Sequence, residues 1–296
     1  MYSRVSILEL DNVTKAYPGG QQVLQGVSLR VDEGSVTGFI GLNGAGKTTT
    51  IRIIAGLLAA DSGNVRVSGR ETRSGDPEYK RALGFVLDEP LYFDWMDPRE
   101  YLRFVGLMYG LDPREADRRC DELLEFFDLA EKRGDLIRTF STGMKKKVSL
   151  AAAVIHKPRM LILDEPFEGI DALAASSIKE ALKMMVERGM TVMITSHVLA
   201  TIEKLCSHIA VIHHGKVILQ GTTGEVKRRA RNATPASGKA EPAFRMAPTK
   251  GTRRTGSRVA PKAPRTGQGN TGEQTLEELF IDLVSPRTRK KPLSYF

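Results

Sequence analysis

The chain has 296 residues, 41% of them hydrophobic and 27% charged, the balance of a folded domain and not of a fibrous or low-complexity chain. Its formal charge of +9 is unevenly placed: residues 227–296 hold 16 Lys and Arg against 5 Asp and Glu, whereas residues 1–226 hold 28 against 30. The near-neutral main part argues against a nucleic-acid binder, and no stretch reaches the ~18 apolar residues of a membrane-spanning helix. Met1-Tyr2-Ser3-Arg4 lacks the apolar core of a secretory signal. Cys120 and Cys206 fit no metal spacing and are expected as reduced, buried thiols of a cytosolic protein.

In chain order, residues 5–10 and 23–31 alternate like half-buried strands. Residues 36–40 form a short apolar strand that runs into a glycine-rich turn, and 48–58 reads as a helix. Further strands are expected at 65–67 and 83–87. From 98 to 155 the pattern becomes helical, as in Tyr101-Leu102 with Phe104-Val105 and Leu123-Leu124 with Phe126-Phe127. Strand signals return at 160–163, 191–195, 208–212 and 216–219. Strand–helix alternation around a helical insert at about residues 90–156 predicts an α/β core with a helical subdomain, together covering residues 1–226. Residues 227–272 are rich in Lys, Arg, Pro, Gly, Thr and Ala and are expected as a basic disordered linker. In the last segment, 273–296, Leu276, Leu279, Phe280 and Leu283 recur at helical spacing and predict an amphipathic helix over 275–284, followed by a tail.

Two motifs carry chemistry. Gly41-Leu-Asn-Gly-Ala-Gly46-Lys47-Thr48 fits G-x-x-x-x-G-K-[ST] between a strand and a helix. Glycines let backbone N–H groups turn onto phosphate oxygens, Lys47 adds a point charge at the β/γ-phosphates, and the Thr48 hydroxyl can ligate Mg²⁺. The predicted phosphate site takes in Asn43, Gly44, Ala45, Gly46, Lys47, Thr48 and Thr49. Met160-Leu-Ile-Leu-Asp164-Glu165 is an apolar strand ending in two acids. Asp164 is placed to bind the metal, and Glu165 to polarise an attacking water.

Features between and after these motifs narrow the family. Phe140-Ser141-Thr142-Gly143-Met144 resembles the Leu-Ser-Gly-Gly-Gln signature of ABC ATPases, and Thr195-Ser196-His197 looks like their switch histidine. Glu168-Gly-Ile-Asp171 resembles their dimer-contacting loop, and Tyr17 matches the aromatic that stacks on adenine. The resemblance, in unbroken order from residue 5 to about 222, is to the nucleotide-binding subunits of ABC transporters. It implies a P-loop NTPase core with an antiparallel β subdomain and a helical subdomain. It implies ATP and Mg²⁺ as cofactors and a head-to-tail dimer, of like or unlike subunits. In that dimer Ser141 and Gly143 face the γ-phosphate held by the other protomer, and His197 holds the γ-phosphate on its own side. The activity implied is ATP hydrolysis driving transport, with export favoured, through a separate transmembrane permease subunit. The location implied is the inner face of the cell membrane.

The sequence departs from the family at three places. Asp88, in Leu87-Asp88-Glu89-Pro90, stands where the family has a glutamine; as an oxygen ligand it keeps metal contact and adds negative charge near the γ-phosphate. Thr142 replaces a signature glycine, and a conformation reserved for glycine there would strain it. Met144 replaces the glutamine, followed by Lys145-Lys146-Lys147, which either attract phosphate or are simply solvated. Leu91, Tyr92, Phe93, Trp95 and Met96 either receive a helix of the membrane partner or pack the subdomain. The basic tail is either a ligand of the anionic membrane surface or a solvated spacer. The alternative functions are a soluble ABC ATPase acting on nucleic acid or ribosomes, supported only by the tail's charge, and a non-hydrolysing regulatory subunit.

Overall fold

Strands that are apolar at every position have to be covered on both faces. That is where they lie in a computed structural model of the chain, which describes residues 5–72, 78–88, 92–233 and 275–284. The elements in order are β1 (Ser6–Ala16), β2 (Gln22–Asp32), β3 (Val36–Ile40), α1 (Lys47–Ile54), β4 (Ser62–Val67), β5 (Arg70–Glu71) and β6 (Leu83–Val86). Three helices follow, α2 (Pro98–Met108), α3 (Pro113–Phe126) and α4 (Thr142–Val154). Then come β7 (Met160–Asp164), α5 (Ala172–Glu187), β8 (Thr191–Thr195), α6 (Leu199–Leu205), β9 (His208–His213), β10 (Lys216–Thr222), α7 (Thr223–Ala233) and α8 (Leu276–Val284). The chain divides into two compact units, Met1–Lys227 and Arg228–Phe296.

The first unit holds two sheets. One is antiparallel, in the order β2-β1-β4-β5. The other runs β10-β9-β3-β8-β7-β6, parallel except for the edge strand β10. Every residue of β7 and β8 is buried, including the polar Asp164, Thr191 and Thr195 that flank the apolar runs 160–163 and 192–194. A shared core joins the sheets. Ile7, Leu10, Val13, Leu24 and Val27 from the antiparallel sheet meet Phe39, Ile51, Ile54, Met160, Ile162 and Met193. Burial of each such side chain contributes ~1.5–3 kcal/mol, enough together to hold the turn after β3 against a fixed wall.

The helical insert opens with strong local signals. Asp97 accepts from Glu100 N while Glu100 accepts from Asp97 N, a capping box with Pro98 at the first turn. At α3 Asp112 caps the helix by accepting from Arg114 N, with Pro113 in the first turn. Cys120 and Cys206 are both free and buried. Two boundaries differ from expectation. The helix expected over 48–58 stops at Ile54 because Gly56 adopts φ 67°, beneath the Tyr79 hydroxyl. Helix α7 occupies residues 227–233, the start of the segment expected as linker, while 234–272 lie outside the described residues. Helix α8 covers the stretch whose apolar spacing predicts a helix.

The insert meets the core through a glycine. A Cβ on Gly84, in β6, would sit 2.1 Å from the Ala153 carbonyl oxygen of α4. Gly84→Ala is therefore expected to destabilise the protein by about 1–3 kcal/mol through forced separation of α4 from β6. Urea denaturation checks this, and a loss below about 0.5 kcal/mol would mean the contact is looser than described.

Candidate functional site

Ligand sites of open α/β sheets form at the carboxyl ends of the parallel strands. Four neighbouring strands here, β3, β8, β7 and β6, deliver the candidate residues to that edge. After β3 comes the turn 41–46. Gly41 admits no side chain, since a Cβ would lie 2.5 Å from the Ile212 carbonyl oxygen. Gly44 and Gly46 have φ 78° and 110°, left-handed values that suit glycine. Gly46 caps α1 without a side chain, so the first N–H groups of the helix are left for an anion. Lys47 is 7% exposed and folds back on the turn, its Nζ donating to the Gly41 carbonyl at 2.8 Å. Asn43, Gly44 and Thr48 are exposed, Thr49 is half-buried, and Ala45 is buried with its N–H bonded to the Leu42 carbonyl.

The acidic side is built on one hydroxyl. Asp164 ends β7 and is 1% exposed. Its neighbour in the parallel register is Thr195, the last residue of β8. Thr195 Oγ1 donates to Asp164 Oδ1 at 2.5 Å and accepts from Glu165 N at 3.0 Å. Asp164 Oδ2 is buried without a hydrogen-bond partner among the described residues. A buried carboxylate oxygen left so costs ~1–3 kcal/mol or more. A hard, buried carboxylate oxygen of this kind fits a magnesium ion. Glu165 has φ 47°, a strained value for a glutamate that costs of order 1–3 kcal/mol. The turn brings its Oε2 within 3.1 Å of His197 Nδ1 and 3.3 Å of His197 N. Burial pushes the Glu165 carboxyl above its usual range, and the charges of His197 and Lys47 pull against it. Thr195 received no role from the sequence. The available signal was a hydroxyl residue two places before His197 at the end of an apolar strand.

The signature residues lie elsewhere along the same edge. Ser141 caps α4, its Oγ accepting from Met144 N. A Cβ on Gly143 would meet the Ala174 Cβ at 2.6 Å, so the starts of α4 and α5 touch. Asp171 caps α5 by accepting from Ala174 N. Thr142 begins α4 without a left-handed φ, so the strain expected of it is absent. No hydrogen bond joins Ser141 or Gly143 to residues 41–49 among the described residues. Asp88 is exposed beyond the end of β6, and Tyr17 is half-buried in the turn between β1 and β2. Glu89, Pro90 and Leu91 lie outside the described residues. Phe93 packs against Trp95, Tyr101 and Phe104 with ring centroids 5.3–6.2 Å apart, and Trp95 remains 66% exposed. Among the described residues no helix is long and apolar enough to cross a membrane.

Comparison with known proteins decides the family. The ABC transporter family model matches residues 24–168. A linearmycin resistance ATP-binding protein of Bacillus subtilis (strain 168) is 40% identical over 223 residues, covering 75% of this chain and 71% of its own. The chain belongs to the ATP-binding subunits of ABC transporters. A bacitracin transport ATP-binding protein of Bacillus licheniformis is 34% identical, covering 76% and 73%. The solved structure of an ATP-binding subunit of an ABC transporter is 34% identical with a TM-score of 0.70, covering 75% of this chain and 92% of that one. As an ABC ATPase the chain is an ATP-hydrolysing enzyme with the α/β fold expected.

The hydroxyl bridge gives a direct test. Thr195→Val keeps the shape of the side chain and removes both hydrogen bonds, so Asp164 and Glu165 lose their common anchor. ATP hydrolysis is expected to fall about tenfold or more, with about 1–3 kcal/mol of stability lost. Steady-state phosphate release and thermal unfolding check it; unchanged turnover would show that Thr195 positions neither acid.

Proposed function

We propose that this ATPase subunit drives export through a separate transmembrane permease subunit by closing a dimer over two ATP molecules. The observation that carries the reading is the hydrogen-bonded run Asp164–Thr195–Glu165–His197, set beside the turn 41–46 at one sheet edge. The backbone of 43–46, Lys47 and Thr49 bind the β- and γ-phosphates, and Tyr17 stacks on adenine. Thr48, Asp164 and Asp88 hold Mg²⁺, which supplies charge neutralisation at the phosphates. Glu165 polarises the attacking water, and its position is fixed by two bonds from His197. His197 is half exposed, free to reach the γ-phosphate on its other side. Ser141 and Gly143 complete the site of the facing protomer through the start of α4. The names of the relatives, one of resistance and one of bacitracin transport, support export. The exposed Trp95 beside Phe93 supports docking of the membrane partner on the helical insert.

Affinity purification from gently solubilised membranes tests the whole reading. A polytopic membrane protein is expected to co-purify, with phosphate release abolished by Glu165→Gln. The Glu165→Gln protein is expected to bind ATP and to dimerise in it. Recovery bound to ribosomes or nucleic acid would favour a soluble role instead, and a persistent monomer at saturating ATP would remove the sandwich.

The pH dependence follows from Glu165. A general base acts when ionised, so hydrolysis is lost as pH falls through its folded value. Burial raises that value, which sets the acid limb above the range of an ordinary glutamate. His197 opposes the rise through its charge and both hydrogen bonds. His197→Ala is expected to move the acid limb of residual kcat to higher pH; a limb that stays or moves down would show that His197 does not tune Glu165.

A further inference from the structure

Three consecutive lysines on α4 take three different places. Lys145 lies 3.9 Å from Asp94 and Lys147 3.0 Å from Asp128, both pairs with an exposed acid. Lys146 turns inward and is 5% exposed. Its Nζ donates one long hydrogen bond, 3.4 Å to the Asp88 carbonyl oxygen, and it has no ion pair among the described residues. A buried ammonium so poorly partnered is costly, and replacing such a group by an apolar one is often neutral or stabilising. Stability therefore does not account for it.

Its surroundings do. Burial disfavours the charged form of Lys146, while four carboxylates favour it: Asp88 most, then Glu168, Asp164 and Glu165. Three of these are the acids assigned above to the metal and to hydrolysis. Asp88 brings one carboxylate more than a neutral side chain would to a place that must also hold the γ-phosphate. An unopposed charge there repels the nucleotide. Lys146 supplies the opposite charge from behind, on the helix that Ser141 caps, and its hydrogen bond ties that helix to the end of β6.

We propose that Lys146 is a positioning residue for ATP hydrolysis, holding the Asp88 chain end by its carbonyl and offsetting the Asp88 carboxylate so that this acid and the nucleotide phosphates share one site. The inference rests on the assignment of Asp88 to the metal and γ-phosphate. It accounts for Asp88 and the buried lysine together.

Steady-state hydrolysis by the full chain tests it, with KM for ATP and kcat measured at fixed free Mg²⁺ for Lys146→Met, Lys146→Arg, Asp88→Gln and the double variant Asp88→Gln/Lys146→Met. Lys146→Met is expected to raise KM about tenfold with an unchanged or higher melting temperature. Lys146→Arg, which keeps the charge, is expected to stay within about twofold of the parent KM. Removing the Asp88 charge as well is expected to recover most of the loss, a rescue that a merely structural lysine would not give. Lys146→Gln serves in the same cycle if the methionine variant does not fold. A parent-like KM in Lys146→Met overturns the proposal, as does a double variant whose loss is the product of the two single losses. If Asp88→Gln alone changes neither KM nor the Mg²⁺ dependence, the assignment of Asp88 fails and takes the proposal with it, a pattern distinct from additivity.

Discussion

A carboxylate taken out of water needs compensation, and Asp164 is almost wholly out of water. The site is organised around that constraint. One of its oxygens is satisfied by Thr195, which only a parallel neighbour ending at the same level can supply. The other is buried and has no hydrogen-bond partner among the described residues, which is the position a cation would satisfy. The same hydroxyl fixes Glu165 N, so the strained turn that lifts the Glu165 side chain is anchored by the residue that partners Asp164. Strand order thus does chemical work here: with β8 elsewhere in the sheet, neither acid would have its partner.

Backbone spacing is the second requirement. Gly41 lets the phosphate turn approach the Ile212 carbonyl, and Gly46 lets it press on Leu24, where a Cβ would come within 2.5 Å of each. Both contacts reach into the core shared by the two sheets. The turn therefore keeps its N–H groups aimed outward because its other side is packed, and Lys47 waits on the Gly41 carbonyl. A phosphate group would compete for Lys47 with two neutral acceptors, the Gly41 and Leu42 carbonyls at 2.8 and 3.5 Å, an exchange that charge strongly favours.

Much of this was legible in the sequence because the signals were local. The turn 41–48 is a spacing rule, and the strand 160–164 is an apolar run ending in acids. What was missed depends on tertiary neighbours. Thr195 becomes functional only once β8 lies beside β7. Lys146 looks like the lysines on either side of it until α4 settles on the core and turns that one inward. The strain expected at Thr142 came from a rule about glycine, and it is absent because the position lies in the first turn of an ordinary helix. Helix α1 ends early where Gly56 takes a left-handed φ, at a place where the Tyr79 hydroxyl leaves no room for a side chain.

Helix α4 is the element through which distant parts of the unit meet. Its capping residue Ser141 opens the helix at one end, and Lys146 bonds the Asp88 carbonyl beyond β6. Ser149 donates to the Tyr92 hydroxyl, which stands next to Phe93 and the exposed Trp95. Ser149 and Lys146 are three residues apart, about 4.5 Å along the axis and on the same face. Just beyond its last turn, His156 bonds the Leu83 carbonyl and stacks on Tyr109 at 3.7 Å, fixing the helix to β6 at the opposite end. Helix α4 is thus bonded to Asp88 and to Tyr92 along its length and to β6 just beyond its last turn, so one element sets the spacing of these three places.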